Sequence, residues 1–408
     1  MRISSVTMFE QSVSSMNRQQ GEFLNVSQQI ASGRRVVNPS DDPQAASRAV
    51  GVDQAKAVTQ QYADSRVSAR NSLSQTESIL NSVSDAVTSA KTLMVQASSD
   101  TLSDVDRQSV ASELRGIYET VIGQANATDG NGRHLFGGYQ DSSEPFVRTA
   151  GGIDYAGDSN TREQRIDSSR LMKVTENGES IFQSVPSGAG YVAEADGGNA
   201  GSLTFSGPQV IDNDDPDYGE AFRVTFTSDT EYDVEKKNAA GGWDMLTSGS
   251  AYDGESGTVS VGGLRLDLKG EAVSGDTIEF APADEMNTDL FRTFEKALAV
   301  LENEAGAPAT PQRDAERTNT LKTVMREFDN SLDNVLTTRA SVGARLNELD
   351  VVDSVGGNRM LNYEQTLSDL VDLDYAEAIS EYSLRQVGLQ ASQKTFADMK
   401  GMSLFNYL

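Results

Sequence analysis

The chain contains no cysteine. Disulfide staples, thiolate nucleophiles and Cys-ligated metal centres are therefore excluded, and a chain that travels unfolded avoids stray thiol cross-links by the same omission. Histidine occurs once, at His134, so no histidine pair can hold a metal and no Ser-His-Asp order surrounds it. His134 is read as a turn residue beside Leu135 and Phe136. The single tryptophan, Trp243, follows Gly241-Gly242 and is read as a satellite core contact. Long hydrophobic runs are missing too: no segment approaches the roughly 18 to 20 apolar residues of a membrane helix. Residues 1 to 20 lack the basic start and compact apolar core of a secretory signal. Positive charge is scarce, with 34 Lys and Arg against 61 Asp and Glu and a net charge of −27. Such a surface repels phosphate backbones and anionic lipid, so neither nucleic acid nor membrane is expected as a partner.

What remains is length and pattern. The 408 residues, 37% of them hydrophobic, suffice for two or three domains with real cores. Both ends carry narrow apolar stripes at helical spacing: Val6, Phe9, Val13, Met16, Phe23 and Ile30 at one, Ile379, Tyr382, Leu389, Phe396 and Met399 at the other. Such a stripe cannot bury itself within one helix and needs other helices to lie against. Those helices belong either to a private hairpin of the two ends or to neighbouring subunits, and the separate rod and outer domain favour the neighbours.

The first helix ends at the punctuation Ser32-Gly33-Arg34-Arg35-Val36-Val37-Asn38-Pro39-Ser40-Asp41-Asp42-Pro43. Gly33 suits a helix C-terminus, and Asp41 or Asp42 before Pro43 suits a new N-cap and first turn. A helix then runs from Pro43 without Gly or Pro beyond Gly51 until after residue 100, with Leu73, Leu80, Val83, Val87, Ala90, Met94 and Ala97 as a coiled-coil-like seam. A shorter helix after Asp104 carries Val110, Leu114, Ile117 and Val121, and the chain turns back at Asp129-Gly130-Asn131-Gly132.

From about residue 133 to 283 the period becomes alternating, as in Phe222-Arg223-Val224-Thr225-Phe226 and Leu264-Arg265-Leu266-Asp267-Leu268, with Gly262-Gly263 as a hairpin turn. Residues 196 to 285 hold 5 basic and 19 acidic side chains, which marks a solvated outer domain. Helix returns near Asp284, with Leu290, Phe294, Leu298 and Leu301 on one face, pauses at Ala305 to Pro311, and resumes with Leu321, Met325, Phe328, Leu332, Val335, Val342, Leu346 and Leu349. Gly356-Gly357 and the acidic stretch from Asp369 to Asp374 separate a last helix. The fold class expected is mainly α with a β-rich insertion: a long antiparallel helical-hairpin rod built from both chain ends, with an outer β domain. Its divisions are a terminal helical domain (1–40 and 357–408), a helical core domain with a β hairpin (41–175 and 284–356) and an acidic outer domain (176–283).

Site-like motifs fail on inspection. Asp212-Asn213-Asp214-Asp215-Pro216-Asp217 invites a calcium reading, but Pro216 occupies the fifth ligand position and Asp217 replaces the obligatory Gly of an EF-hand loop. Gly188-Ala189-Gly190-Tyr191-Val192-Ala193 formally fits a dinucleotide fingerprint, yet Val185-Pro186-Ser187 makes a poor strand and no helix follows. In so acidic a domain no single carboxylate pair signals a glycosidase. A hydrolase or binding module within residues 140–283 would need a convergent polar pocket, which the sequence does not show. No catalytic residue, cofactor or metal is expected.

Several segments carry a resemblance. Gln29-Ile30-Ala31-Ser32-Gly33-Arg34-Arg35 followed by Asn38 to Pro43 resembles the turn between terminal and core helices of the flagellin superfamily, as do Leu93-Met94-Val95-Gln96-Ala97 and Ser103-Asp104-Val105-Asp106-Arg107. Three features are more similar to the family's hook-associated proteins of the hook-filament junction than to filament flagellin, which is the alternative. These are the prolines at 39 and 43, His134-Leu135-Phe136-Gly137-Gly138 followed by Pro145-Phe146, and the aromatic ending Ser403-Leu404-Phe405-Asn406-Tyr407-Leu408. The resemblance covers residues 1–140 and 284–408; the acidic middle has no counterpart.

The resemblance implies a non-enzymatic structural subunit of the bacterial flagellum. It would be secreted without a cleaved signal by type III export, with an export chaperone, and would sit outside the cell as a ring-like homo-oligomer between the preceding hook-associated protein and flagellin. Leu404, Phe405 and Leu408 join the two stripes as interface residues, and Asn38, Pro39, Ser40, Asp41, Asp42 and Pro43 form a connector between layers. Arg34 and Arg35 are read as solvated or paired with a neighbour's acids. Much of the apolar area at both ends would be bare in a monomer, so residues 1–40 and 360–408 are expected to exchange their amide hydrogens freely in dilute solution; sharp protection there would count against this reading.

Overall fold

The computed structural model describes residues 5–99, 102–302 and 310–401. The chain opens with three helices, α1 (Ser5–Ser32), α2 (Pro43–Ala97) and α3 (Asp104–Ala125). Asp42 caps α2, its carboxylate accepting the Ala45 N–H at 3.0 Å, and Pro43 takes the first helical position, where no N–H is needed. Ser103 and Asp106 bond reciprocally to each other's backbone at the start of α3, a capping box. Hairpins β1 (Phe146–Thr149) with β2 (Gly152–Tyr155) and β3 (Glu163–Asp167) with β4 (Arg170–Lys173) follow, then the short helix α4 (Gly178–Phe182).

The outer β region consists of β5 (Tyr191–Ala195), β6 (Thr204–Val210), β7 (Phe222–Phe226), β8 (Glu231–Lys237), β9 (Trp243–Ala251), β10 (Ser256–Val261), β11 (Leu264–Lys269) and β12 (Thr277–Pro282). One sheet has the order β5-β12-β7-β8-β9 and the other β10-β11-β6, all neighbours antiparallel. The β10–β11 turn is Gly262-Gly263, with φ of 57° and 70°, the left-handed pair that a two-residue hairpin requires. Inward-facing Phe205, Phe222, Val224, Phe226, Leu266, Leu268, Ile278 and Phe280 fill the space between the sheets. Trp243 is not among them. It stands half-buried on β9 with the Arg223 guanidinium 4.0 Å from its ring centroid, because an edge strand offers a surface stack rather than a core position.

The chain closes with α5 (Leu290–Glu302), α6 (Pro311–Val371) and α7 (Tyr375–Gly401). Two expectations shift here. Only a 3₁₀ turn occupies Ala283–Glu285, and α5 starts later, where the Asp289 carboxylate accepts the Phe291 N–H at 2.8 Å. Gly356-Gly357 lies inside α6; a helix-interior glycine costs only about 1 kcal/mol against alanine, too little to end a packed helix, and the break falls at Asp372–Asp374 instead. The pause expected from Ala305 lies mostly outside the described residues.

The chain divides into two units, one of residues 66–350 and the other of residues 1–65 with 351–408. The first has a helical core in which Leu80, Val87 and Met94 of α2, Leu114 and Val121 of α3, Phe294 and Leu298 of α5, and Leu321 and Phe328 of α6 are buried together. Phe136, Phe146, Phe182 and Phe291 close one end of it, edge to face where Phe182 meets Phe136 and Phe146.

Helix α6 also seals the outer sheets. Asn319, Lys322, Thr323 and Arg326, at helical spacing on one face, reach the backbone of β5, β6 and the residue before β6. Asn319 donates to the Leu203 carbonyl at 2.8 Å and accepts the Phe205 N–H at 3.1 Å, Lys322 donates to Phe205, Thr323 to Ala193 and Arg326 to Tyr191. Two strand edges that would otherwise invite pairing are thereby covered. A buried ion cluster completes the junction: the Lys296 ammonium lies 2.7 Å from Glu194 of β5 and 2.9 Å from Glu327 of α6, whose other oxygen accepts from Asn287 and Thr293. Burial pushes the Glu327 carboxyl above its ordinary pKa although Lys296 opposes this. Burial works against the Lys296 ammonium as well, but two carboxylates hold its pKa above the usual value.

Replacing Lys296 by Met is expected to cost about 3–5 kcal/mol at neutral pH, because Glu327 is left as an uncompensated buried charge. A carboxyl whose folded pKa is raised contributes stability below its unfolded pKa and loses it as pH rises through the folded one. The K296M deficit, measured by chemical unfolding at pH 7.5 and pH 5, is therefore expected to shrink at the lower pH; equal deficits would contradict the assignment.

Candidate functional site

Within the unit formed by the two chain ends, both chains break at the same level and the breaks are bonded to each other. Gly33 ends α1 with φ of 71°, and a Cβ there would come 3.0 Å from the Tyr375 hydroxyl. Arg34 and Asp372 form an antiparallel bridge. The Arg35 N–H donates to the Val371 carbonyl at 2.7 Å, and the Leu373 N–H to the Gly33 carbonyl at 3.0 Å. The Arg35 guanidinium donates to the Leu370 carbonyl at 2.6 Å and lies 3.1 Å from Asp42, while its own carbonyl accepts from Gln29. Orphan backbone groups at the end of one helix are thus satisfied by the other chain segment. Arg35, expected to serve a neighbour or solvent, is occupied inside its own chain.

The connector residues fold into a tight loop on this bridge. Asp41 accepts the backbone N–H groups of Val37 and Asn38, and the Asp41 N–H donates to the Asn38 carbonyl, so Asn38, Pro39, Ser40 and Asp41 form one turn. Asp42 and Pro43 then start α2, and Asp374 caps α7 in the same way through the Ala376 N–H. The Ala45 N–H, then Arg35, hold the Asp42 carboxyl below its ordinary pKa.

Beyond the breaks α1 and α7 run antiparallel, side by side. Phe9 meets Phe396 with ring centroids 5.2 Å apart and Phe23 meets Tyr382 at 4.9 Å; Arg385 pairs with Glu22 and Ser392 bonds Gln19. Part of the partner that each stripe requires therefore lies in the chain's other end. The burial is shallow, however: Val13, Met16, Phe23, Ile30, Tyr382, Leu389 and Phe396 are half-buried, and Phe9 and Ile379 remain 46% and 54% exposed. Val6 and Met399 belong to the helices but their side chains lie outside the description, and Leu404, Phe405 and Leu408 lie outside the described residues altogether.

Helix α7 has a second apolar side that the stripe did not include. At about 100° per residue, Ala378, Tyr382, Leu389 and Phe396 point one way, with Ile379 at their flank, whereas Leu384 and Val387 point away from them. Leu384 and Val387 are 71% and 63% exposed. Their signal was present in the sequence as apolar residues out of phase with the stripe, which is the mark of a helix buried on two sides.

Among the described residues no group of three or more His, Asp or Glu could hold a metal, and no helix is long and apolar enough to cross a membrane. His134 bonds the Asn126 carbonyl at 2.8 Å from the turn where it was expected. The Asp212–Asp217 loop binds its own backbone, with Lys236 beside Asp217.

Sequence-distant terminal helices joined through paired breaks to long core helices, with a β-rich insertion, are the build of a flagellin-type structural subunit. Residues 3–141 match the family described as the bacterial flagellin N-terminal helical region. The chain is 35% identical over 405 residues to flagellar hook-associated protein 3 of Salmonella typhimurium and 34% identical to that of Escherichia coli, covering 99% of each chain in both cases. The crystal structure of Xanthomonas campestris FlgL superposes with a TM-score of 0.66 at 26% identity, covering 78% of this chain and 99% of that one. The chain belongs to the flagellar hook-associated protein 3 family, structural proteins of the hook-filament junction, and not to the filament flagellins. Its place is the bacterial flagellum, an extracellular appendage.

Replacing Arg35 by Ala removes the contacts to Leu370 and Asp42 at once. The free exchange expected over residues 1–40 and 360–408 does not fit the joint, where the amides of residues 35 and 373 are bonded across the two breaks; in R35A their exchange is expected to accelerate about tenfold, corresponding to one net hydrogen bond to a charged group, while exchange in α5 stays unchanged. The parent should lose only the Asp42 share of this protection in acid, since the bond to the Leu370 carbonyl does not titrate. A carboxyl with a depressed pKa contributes above its unfolded pKa and stops contributing as pH falls through the folded one.

Proposed function

We propose that the chain is a non-enzymatic mechanical adaptor whose two ends, Val6 to Ile30 and Ile379 to Leu408, close a tube by packing against the corresponding helices of neighbouring copies. In this reading residues 1–40 and 357–408 line the tube, 41–175 and 284–356 form the next shell, and 176–283 face outward. The connector Asn38 to Pro43 carries the chain from one layer to the next. The subunit is exported unfolded without a cleaved signal, with an export chaperone, and assembles as a ring between the preceding hook-associated protein and the first flagellins.

The observation that carries the reading is the two-sidedness of α7. One side is committed to α1; the other leaves Leu384 and Val387 in water, which costs roughly 25 cal/mol for each Å² of apolar surface left exposed. A helix with a second uncovered apolar side is matched by a second helix from outside the chain. The relatives are structural flagellar proteins, in keeping with this role.

Substituting both Leu384 and Val387 by Glu is expected to leave the stability of the isolated subunit within about 0.5 kcal/mol, as for other exposed positions, and to abolish incorporation into flagella. Labelled parent protein, seen by electron microscopy on detached flagella, is expected as a short band at the base of the filament. Incorporation of the double variant at parental levels, or label along the whole filament, would overturn the proposal.

A further inference from the structure

In the unit of residues 66–350 the seam between α2 and α6 repeats every seven residues on both helices. Leu73, Leu80, Val87 and Met94 are buried on α2, and Leu321, Phe328, Val335, Val342 and Leu349 on α6. A seam of period seven offers an equivalent apolar surface after sliding by one heptad, about 10 Å. This column of apolar residues by itself therefore does not distinguish the observed register from its two neighbours.

The flanking charges can. Arg70 lies 2.7 Å from Asp350, Arg339 lies 2.9 Å from Glu77, and Lys91 pairs with Asp329. Along α2 the signs run positive, negative, positive, and along α6 they answer in reverse order. Moving α6 by one heptad in one direction brings Asp350 opposite Glu77 and leaves Lys91 opposite Leu336. Moving it in the other brings Arg339 opposite Arg70 and Lys322 opposite Lys91. Each displaced register exchanges an attractive pair for a repulsive one, the way charges beside a coiled-coil seam select among pairings that the seam alone permits.

We propose that the alternation at Arg70, Glu77 and Lys91, answered by Asp350, Arg339 and Asp329, is the device that specifies the α2–α6 register. The two helices are joined only through the whole intervening chain from Ser98 to Thr310, so their register is chosen when distant segments meet during folding. A merely stabilising role for the three ion pairs predicts something different, and one variant separates the two. Glu77→Arg with Arg339→Glu keeps every observed pair attractive. The same exchange also turns the meeting of Asp350 with position 77 attractive in one displaced register, and that of Arg70 with position 339 attractive in the other.

The absence of cysteine permits spin labels at Ser89→Cys and Ala340→Cys, both on exposed positions. After refolding from denaturant, pulsed electron paramagnetic resonance is expected to find one inter-label distance in the labelled parent. In the swapped variant a second population, displaced by up to about 10 Å, is expected beside the first. A chain with Arg70, Glu77 and Lys91 all replaced by Ala gives the same readout if the swap impairs refolding. A single parental distance in both variants would overturn the proposal.

Discussion

The larger unit depends on one constraint: the seven-residue seam of α2 must find that of α6 across most of the length of the chain. Both helices draw most of their stability from packing an apolar face, not from propensity. Once Leu80, Val87 and Met94 meet Leu321 and Phe328, α3 and α5 have a surface to complete, and the aromatic group around Phe146 and Phe182 closes its end. The outer sheets depend on the same helix, because α6 offers them Asn319, Lys322, Thr323 and Arg326 on one of its faces. A single helix is thus core strut and edge cover at once.

The unit made by the chain ends works on a different balance. Its seam is thin, its side chains half-buried, and much of its order comes from backbone bonds between the two breaks. The joint is specified by polar groups that are satisfied within the chain, whereas the helices beyond it keep apolar surface in reserve. That division suits the adaptor role proposed above: the polar groups of the joint are satisfied within the chain, and the remaining apolar surface is available to a neighbour.

The connector was legible in the sequence because its signals are local. Gly33, the Asp residues and Pro43 each act on the turn that contains them. The alternating strands and the Gly262-Gly263 hairpin were legible for the same reason. Gly356-Gly357 misled because a weak local preference was set against packing along a 61-residue helix, and Trp243 misled because a large aromatic on an edge strand has no core to enter.

By itself the sequence determined where α1 ends and where α2 and α3 begin, which stretches alternate, and that thiol chemistry is excluded, since capping, periodicity and composition are properties of neighbouring residues. The stripes told that α1 and α7 need partners but not which, because an apolar side chain carries no address. Only the tertiary structure decided that Phe9 meets Phe396, that Arg35 is bound to Leu370 and Asp42, that α6 covers the edges of β5 and β6, and that α7 keeps a second bare side. Each is a meeting of residues far apart in the chain, and the geometry that brings them together exists only once both ends have folded.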